Sequence, residues 1–550
     1  MRTIKILDCT LRDGGYVNDF NFGKNTIKNI ISNLSDANID IIECGFLSNE
    51  LYDENKSLYN CVDSVKTLIE KKNNELMYVG MIALGNMEIP VEKIKPCDGS
   101  SIDGIRVTFH EDKHEMEKAF TLAKQLKDKG YAVFMQPIGT TTYSDESLLD
   151  LVENINDLNP YALYLVDTLG VMGKNELLTM FNLVDDNLNS NIAIGFHSHN
   201  NLQLSFSNAK ELIEQDTDRN IIIDSSVFGM GRGAGNLCTE LLANHINSYV
   251  GEKYDVVPLL EIVDEHLNQI LARYSWGYSV PYFLAAIHNC HPNYVSYLIN
   301  KQTVTVKIIN NLLEKIPEDE KAMFNKRLIQ EIYILNQDHF VDDQYSLLKI
   351  KEHIKGREIL LLAPGKSLKN EKDVIDDFIL KNDPIIISVN FIPEIYKCNF
   401  VFFSNIKRFD TAFEDMKNSD FHPSVIVTSN ITTCENNNYF IVNYSKLLND
   451  QSNIEDNAGL MLINLLDGLT VKKINLAGFD GFSVNKLDHF FLDTFINNID
   501  IETLNEINDA IKDKLFNLSQ HIDFNFVTKS IYETAIEKNT EQKIRRVIFG

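Results

Sequence analysis

The amino-acid sequence predicts an α/β protein: a (β/α)8 TIM barrel with a helical extension, followed by a Rossmann-like α/β domain. Three observations carry this expectation. Eight short runs rich in β-branched residues fall in the first 250 residues, recurring roughly every 27–38 positions, the spacing of strand-plus-helix units. Amphipathic stretches fill the gaps between them. Beyond residue 355 a second series of apolar runs alternates with helical patterns, and its members end in Gly, Ser or Asn.

The eight runs are Ile4–Cys9, Ile39–Cys44, Met77–Ile82, Gly104–Phe109, Ala132–Gln136, Ala162–Asp167, Ile192–His197 and Ile221–Val227. An open, doubly wound sheet is the alternative reading of the same pattern. Met116–Lys129 has helical periodicity and stops at Gly130, a residue suited to a helix C-cap. From about Tyr254 to Leu348 the strand signal disappears, and Leu259–Tyr274, Val304–Glu314 and Glu318–Leu335 read as helices. His288 and His291, three apart, could face one way on a helix turn there. The later strands are Glu358–Ala363, Pro384–Val389, Phe400–Phe403, Val425–Thr428, Ile441–Val442 and Lys473–Ala477, with Ala458–Leu469 as a buried helix. The acidic, Asn-rich tail from Asp493 carries no further motif. The expected domains are 1–252, the barrel; 253–350, a helical extension completing its site; and 351–550, the second α/β domain.

Composition narrows the function classes. Apolar residues make up 44% and charged residues 24%, which excludes a disordered or collagen-like chain. Lys and Arg number 52 against 78 Asp and Glu, a net charge of −26 that disfavours non-specific binding to nucleic acid or anionic membrane. No stretch is long and apolar enough for a membrane span. The N-terminus runs straight into a strand pattern without a signal core, so a cytoplasmic location is expected. Eight scattered cysteines with no C-x-x-C pair disfavour a disulfide framework and a thiolate zinc site.

The chemistry-bearing residues fall at strand ends, where barrel active sites form. The first strand leads into Thr10-Leu11-Arg12-Asp13-Gly14-Gly15, the second delivers Glu43 and the sixth Asp167-Thr168. The seventh ends Gly195-Phe196-His197-Ser198-His199-Asn200. His197 and His199 are two apart on a strand and project from one face. With Asp13 they make a two-histidine, one-carboxylate set with positions left for water and substrate. An isolated His-x-His reads first as a pair of barrel-lining or surface imidazoles; the Arg-Asp pair and the loop Gly229-Met230-Gly231-Arg232-Gly233-Ala234-Gly235-Asn236 turn the reading toward a metal site.

Together these three segments resemble the metal-dependent aldolase and lyase barrels: 4-hydroxy-2-oxovalerate aldolase, hydroxymethylglutaryl-CoA lyase and 2-isopropylmalate synthase. The resemblance spans roughly residues 1–300. It implies a divalent metal, Mn²⁺ or Mg²⁺ first and Zn²⁺ or Co²⁺ as alternatives, held by Asp13, His197 and His199, with Asn236 as a further ligand. It also implies that Arg12 stabilises an enolate oxygen and that Glu43 orients Arg12. A 2-keto acid such as pyruvate would present its carboxylate and keto oxygens to the metal, and a base would move one proton. The hydroxyoxovalerate aldolases carry a proton-transfer histidine two residues after the Gly of this segment, where this chain has Tyr16. A tyrosine is a poor base at neutral pH, so Tyr16 is either an acid or a hydrogen-bond donor, and the base is sought among His110, His288 and His291. Tyr278 lies in a Gly-Tyr segment that looks like the family's active-site tyrosine region. Acyl-CoA condensation is disfavoured, because the chain after residue 300 does not look like the regulatory domain of isopropylmalate synthases. Related barrels commonly form homo-oligomers, and resembling aldolases pair with a dehydrogenase, for which no motif appears here.

In the second domain, Pro364-Gly365-Lys366-Ser367 lacks the full P-loop spacing, which excludes a nucleoside triphosphatase, but such a turn can still offer backbone N–H groups to a phosphate. This turn, Ser388-Val389-Asn390, Cys398–Phe403 and Leu476–Gly481 resemble bacterial sialyltransferase-like proteins and motility-accessory glycosyltransferases over roughly 355–490. That resemblance implies nucleotide-sugar binding around Gly365, Ser367, Asn390 and Asp480, with His489 as a candidate base. Those sialyltransferases have Asn where this chain has Pro364. A Rossmann-like domain used only for packing is the alternative.

The expected activity is therefore metal-dependent aldol or retro-aldol chemistry on a 2-keto acid and an aldehyde, with the appended domain handling a nucleotide sugar in surface-polysaccharide metabolism. Two alternatives are a glycosyltransferase carried on an inert barrel, and a non-catalytic assembly protein; metal content separates both from the aldolase.

Overall fold

The computed structural model describes residues 2–534 except 70, 86, 302, 322, 338, 418–421, 432–438 and 484–500. The chain divides into two compact units, Met1–Pro292 with Lys321–Met323, and Asn293–Glu320 with Phe324–Gly550. The segment 253–350 is thus shared between units rather than forming one of its own.

In the first unit the eight expected strands are present: β1 (Ile4–Asp8), β2 (Ile41–Leu47), β3 (Met77–Ala83), β4 (Gly104–Phe109), β5 (Ala132–Pro137), β6 (Ala162–Asp167), β7 (Ala193–Ser198) and β8 (Ile221–Ser225). Each pairs in parallel with its neighbour, and β1 pairs with both β8 and β2, so the sheet closes on itself. Closure excludes the open-sheet alternative. Nearly every strand residue is buried, as expected where one face lines the barrel and the other meets helices. Inward-pointing Leu7, Ile41, Val79, Phe134, Ala162, Tyr164, Val166, Ala193 and Ile222 pack together inside. The alternate positions join the surrounding helices in a larger apolar layer.

The helical readings needed two corrections. Glu318–Leu335 is not one helix: a single 3-10 turn at Glu318–Glu320 is separated from a helix at Lys326–Gln337, whose start Asn325 caps by accepting from the Leu328 N–H at 3.1 Å. His288 and His291 do not share a helix turn either. Helix Val280–Ile287 ends before His288, Asn289 adopts φ 53°, and His291 precedes the next helix at Pro292.

The second unit contains a parallel seven-stranded sheet of β9 (Ile359–Leu362), β10 (Ile385–Val389), β11 (Phe400–Phe403), β12 (Ser424–Thr428), β13 (Phe440–Val442), β14 (Lys473–Ala477) and β15 (Asp523–Phe526). The strand order is β13-β12-β11-β10-β9-β14-β15, reversing direction between β9 and β14. Alternate residues of its strands enter separate apolar clusters, Leu361, Ile387 and Phe402 in one, Leu362, Ile386 and Val401 in the other, so both faces are covered. The tail holds structure that the sequence reading passed over: a helix at Ile501–Leu518 and the edge strand β15. Its signal is Leu504, Ile507, Ile511, Leu515 and Leu518 at helical spacing. Among the described residues no helix is long and apolar enough to cross a membrane.

Candidate metal centre

The mouth of the barrel is built by the loops that follow β1, β7 and β8. After β1 the backbone turns back on itself, with the N–H groups of Arg12 and Asp13 donating to the Cys9 carbonyl at 3.1 and 2.8 Å. This turn is anchored from both sides. Asp8 accepts from the Thr10 N–H (2.9 Å) and the Thr239 hydroxyl (2.6 Å), while Thr10 Oγ1 accepts from the Val227 N–H (2.8 Å). Arg12 and Asp13 are thereby delivered, buried, to the strand ends. His197 is the penultimate residue of β7, and His199 follows it in a bridge to Asn236.

Asp13, His197 and His199 offer ligand atoms that all lie within 4.8 Å of one another. Asn236 reaches the same point, its Nδ2 donating to Asp13 Oδ2 at 2.7 Å and to the Met230 carbonyl at 3.2 Å. Gly231 makes this approach feasible, since a Cβ there would stand 2.6 Å from Asn236 Nδ2. Asn236 Oδ1 is left buried with no donor among the described residues. A buried amide oxygen without a donor is costly, and a cation is the partner that would satisfy it. His197 Nδ1 donates to Asp224 Oδ2 at 3.0 Å, which leaves Nε2 as the nitrogen that could ligate a metal. Burial pushes His199 down to about 3 against the pull of Asp13, so it is a neutral imidazole, the ligand form, at pH 7. Burial by itself would raise the Asp13 carboxyl; Arg12, then His199, His197 and Arg232, overcome that and hold it well below the usual carboxylate range. A two-histidine, one-carboxylate set with an adjacent amide oxygen fits a divalent ion.

Arg12 is forked between two carboxylates, Nε on Glu43 Oε2 at 2.8 Å and Nη1 on Asp13 Oδ1 at 2.6 Å. Its Nη2 is buried with no acceptor among the described residues. Tyr16 packs edge-on to Phe20 and Phe46, and the exposed Arg232 lays its guanidinium 4.1 Å from the Tyr16 ring centre. Burial pushes the Tyr16 phenol up, so it remains protonated at neutral pH.

His110 follows β4 and places Nδ1 3.1 Å from Glu115 Oε1. His291 is pushed down to about 4 by burial and by Arg232. Tyr278 is 59% exposed. Asp167, expected at the rim, binds its own turn instead, accepting from the N–H groups of Val171 (3.0 Å) and Met172 (3.1 Å). Burial, opposed by those bonds, raises it to about 6. Such a group stabilises the fold fully below its unfolded pKa, and that contribution is lost as pH rises from about 4 through 6. The midpoint of thermal unfolding of Asp167→Asn relative to wild type is therefore expected to rise between pH 4.5 and 7.5, by the equivalent of roughly 2–3 kcal/mol. A difference independent of pH would contradict it.

Two residues of the site escaped the sequence reading: Arg106 on β4 and Asp224 on β8. Both are buried inside the barrel, Arg106 bonded to Glu43 Oε2 at 2.8 Å and to Asp224 Oδ2, Asp224 in turn to His197. Their signal was a lone charge inside an apolar strand, which a buried parallel strand tolerates only when the charge is paired.

In the second unit, the loops after β9 and β14 meet at the strand-order reversal. Asp480 accepts from the Ser367 N–H (2.8 Å) and from the Ser367 hydroxyl, which also bonds Thr528 Oγ1 at 2.9 Å. Gly365 lies so near that a Cβ would be 2.5 Å from the Asp480 carboxyl carbon. The N–H and hydroxyl of Ser367, two donors that a phosphate would use here, are thus engaged by Asp480, and the following helix, Ser367–Asn370, is a single turn. Asn390 Oδ1 accepts from the Ser404 N–H at 3.0 Å. His489 lies outside the described residues. The nucleotide-sugar expectation gains no support from this geometry.

Residues 3–264 match the family described as HMGL-like, a little under half of the chain. The chain is 24% identical over 277 residues to 4-hydroxy-2-oxovalerate aldolase of Bacillus cereus, covering 49% of this chain and 77% of the relative. It is 24% identical over 248 residues to oxaloacetate decarboxylase of Mycobacterium tuberculosis, covering 43% and 68%. Among solved structures, the N-terminal domain of a candidate aldolase from Bacteroides vulgatus is 27% identical with a TM-score of 0.45, covering 54% of this chain and 96% of that one.

Proposed function

We propose that the barrel is a divalent-metal-dependent carbon–carbon lyase or aldolase acting on a 2-keto acid through its enolate. The observation that carries this reading is the convergence of Asp13, His197 and His199 with a buried Arg12 whose Nη2 awaits an acceptor. The match to the HMGL-like family over residues 3–264 supports it, as do relatives that include an aldolase and a decarboxylase. Asp13, His197, His199 and the Asn236 amide oxygen would hold the divalent ion, which would supply Lewis acidity toward the oxygens of a bound 2-keto acid.

The chain's own groups provide the rest. Arg12, fixed by Glu43 and Asp13, holds a full positive charge where the keto oxygen becomes an enolate oxygen, and it needs no reorganisation to do so. Cleavage moves the electron pair of the broken C–C bond into the enolate that ends on that oxygen, while the substrate hydroxyl passes its proton to a base, for which His110, His288 and His291 are the candidates. The departing fragment leaves as a carbonyl, and a proton returned to the enolate carbon gives the 2-keto acid product. Tyr16, kept protonated by burial, has a hydroxyl that could donate to the substrate. The buried ionic groups nearest the centre are three carboxyls (Asp13, Glu43, Asp224) and two guanidiniums (Arg12, Arg106), a balance of −1. A dication makes it +1, which suits a monoanionic 2-keto acid.

The test is exchange of the pyruvate methyl protons for deuterium, followed by NMR in D₂O with and without Mn²⁺ or Mg²⁺, alongside direct measurement of bound metal. Metal-dependent exchange is expected. A protein that binds no divalent ion would overturn the metal reading. One that binds metal but exchanges neither pyruvate nor longer 2-keto acids would overturn the enolate reading.

A further inference from the structure

Arg106 stands at the centre of a chain of buried contacts that runs from one side of the candidate centre to the other. Its Nη1 donates to Glu43 Oε2 at 2.8 Å, the same oxygen that accepts from Arg12 Nε at 2.8 Å. Its Nη2 donates to Asp224 Oδ2, the same oxygen that receives His197 Nδ1 at 3.0 Å. One guanidinium thus touches both carboxylates, and each carboxylate holds one functional side chain. Arg106 is fully buried, and its guanidinium carbon lies 4.6 Å from the Tyr164 ring centre. The ring has room because the facing position on β7 is Gly195, where a Cβ would lie 2.4 Å from it. The floor beneath the site is therefore shaped around this one side chain.

We infer that Arg106 is a positioning residue that couples the two halves of the centre, fixing Arg12 through Glu43 and His197 through Asp224. The inference rests on the metal-dependent reading above and adds a residue that touches neither ion nor substrate. The physical basis is the fork of the guanidinium. Arginine presents parallel donors in a rigid plane and can satisfy two acceptors at fixed separation, whereas a lysine ammonium is a point charge on a flexible stem. Partners that orient a metal-binding histidine typically matter by about 10–100-fold in metal affinity or activity. Arg106 acts one contact further out, on the histidine's carboxylate partner and on the partner of Arg12 at once.

The deciding variant is Arg106→Lys in the full chain, because it keeps the buried charge and removes the fork. Mn²⁺ affinity is read directly from the electron paramagnetic resonance of free Mn²⁺, and pyruvate exchange is read separately. Arg106→Lys is expected to weaken Mn²⁺ binding about tenfold and to slow exchange further at saturating Mn²⁺, since Arg12 is also released. A double-mutant cycle with Asp224→Asn is expected to be non-additive, the double variant binding Mn²⁺ no more weakly than Asp224→Asn alone. A merely space-filling role predicts a lower unfolding midpoint with unchanged Mn²⁺ affinity in the folded protein, and that result would overturn the inference. So would full additivity in the cycle. If Arg106→Lys does not fold, the charge-balanced Arg106→Gln, Glu43→Gln pair carries the same Mn²⁺ comparison against Glu43→Gln alone, with the same two outcomes. A wild-type protein that binds no Mn²⁺ is a failure of the metal reading, and it is distinct from a wild type and a variant that bind equally well.

Discussion

Asp13→Asn is expected to abolish tight Mn²⁺ binding and to lower metal-dependent pyruvate exchange by roughly 10³-fold or more, the equivalent of several kcal/mol of Lewis-acid stabilisation. The substitution is nearly isosteric, so the turn after β1 should survive it. What it removes is the negative charge that Arg12 and both histidines face, 1% exposed and paired to Arg12 at 2.6 Å. The amide also loses the acceptor that fixes Asn236 Nδ2, so two neighbouring ligand positions are disturbed together. His197→Ala should act in the same direction. It removes an imidazole already oriented by Asp224 and opens a small void at the end of β7. Metal content after dialysis, Mn²⁺ affinity and exchange rate are measured on each variant, with circular dichroism as the folding control. Asp13→Asn binding Mn²⁺ with wild-type affinity would remove Asp13 from the ligand set.

Arg12→Gln should separate charge stabilisation from metal binding. The loss of one preorganised donor at a developing oxyanion costs about 10²–10³ in turnover. Mn²⁺ affinity, by contrast, should be unchanged or tighter, because a guanidinium that repels the cation has gone while Asp13, His197, His199 and Asn236 remain. The effect should fall on the maximal exchange rate measured at saturating Mn²⁺. A variant that loses metal and activity in proportion would mean that Arg12 serves to hold Asp13 in place and does not meet the enolate. Glu43 contributes here by geometry, since its Oε2 receives both Arg12 and Arg106.

Much of the barrel could be read from the chain alone because its cause is local. Parallel strands covered on both faces must be apolar runs, and the turns between them must carry small or polar residues, so β4 and β6 begin and end where the sequence placed them. The convergence of Asp13, His197 and His199 was equally legible. Two histidines at period two share a face on any strand, and an Arg-Asp pair after β1 can only lie at the barrel mouth. Other features depended on partners distant in sequence. Arg106 and Asp224 are 118 positions apart, and only barrel closure makes a lone charge in each strand into a buried pair. Asp167 sits at a strand end like Asp13, yet the N–H groups of Val171 and Met172 turn it inward to its own loop. The Gly365–Ser367 turn has the composition of an anion cradle, but the chain returns 113 residues later with Asp480 and engages its donors.

The sequence by itself determined the order of the eight barrel strands, the ends at which chemistry can occur, and the placement of Asp13, His197 and His199 together at those ends. The tertiary structure decided which charged side chains support that set, which ones hold loops, and which donors remain open. The reason is physical: periodicity and residue type dictate which way a side chain points from its own strand. Whether a buried charge becomes a ligand, a brace or a cap depends on the opposite charges that folding brings within about 3 Å of it.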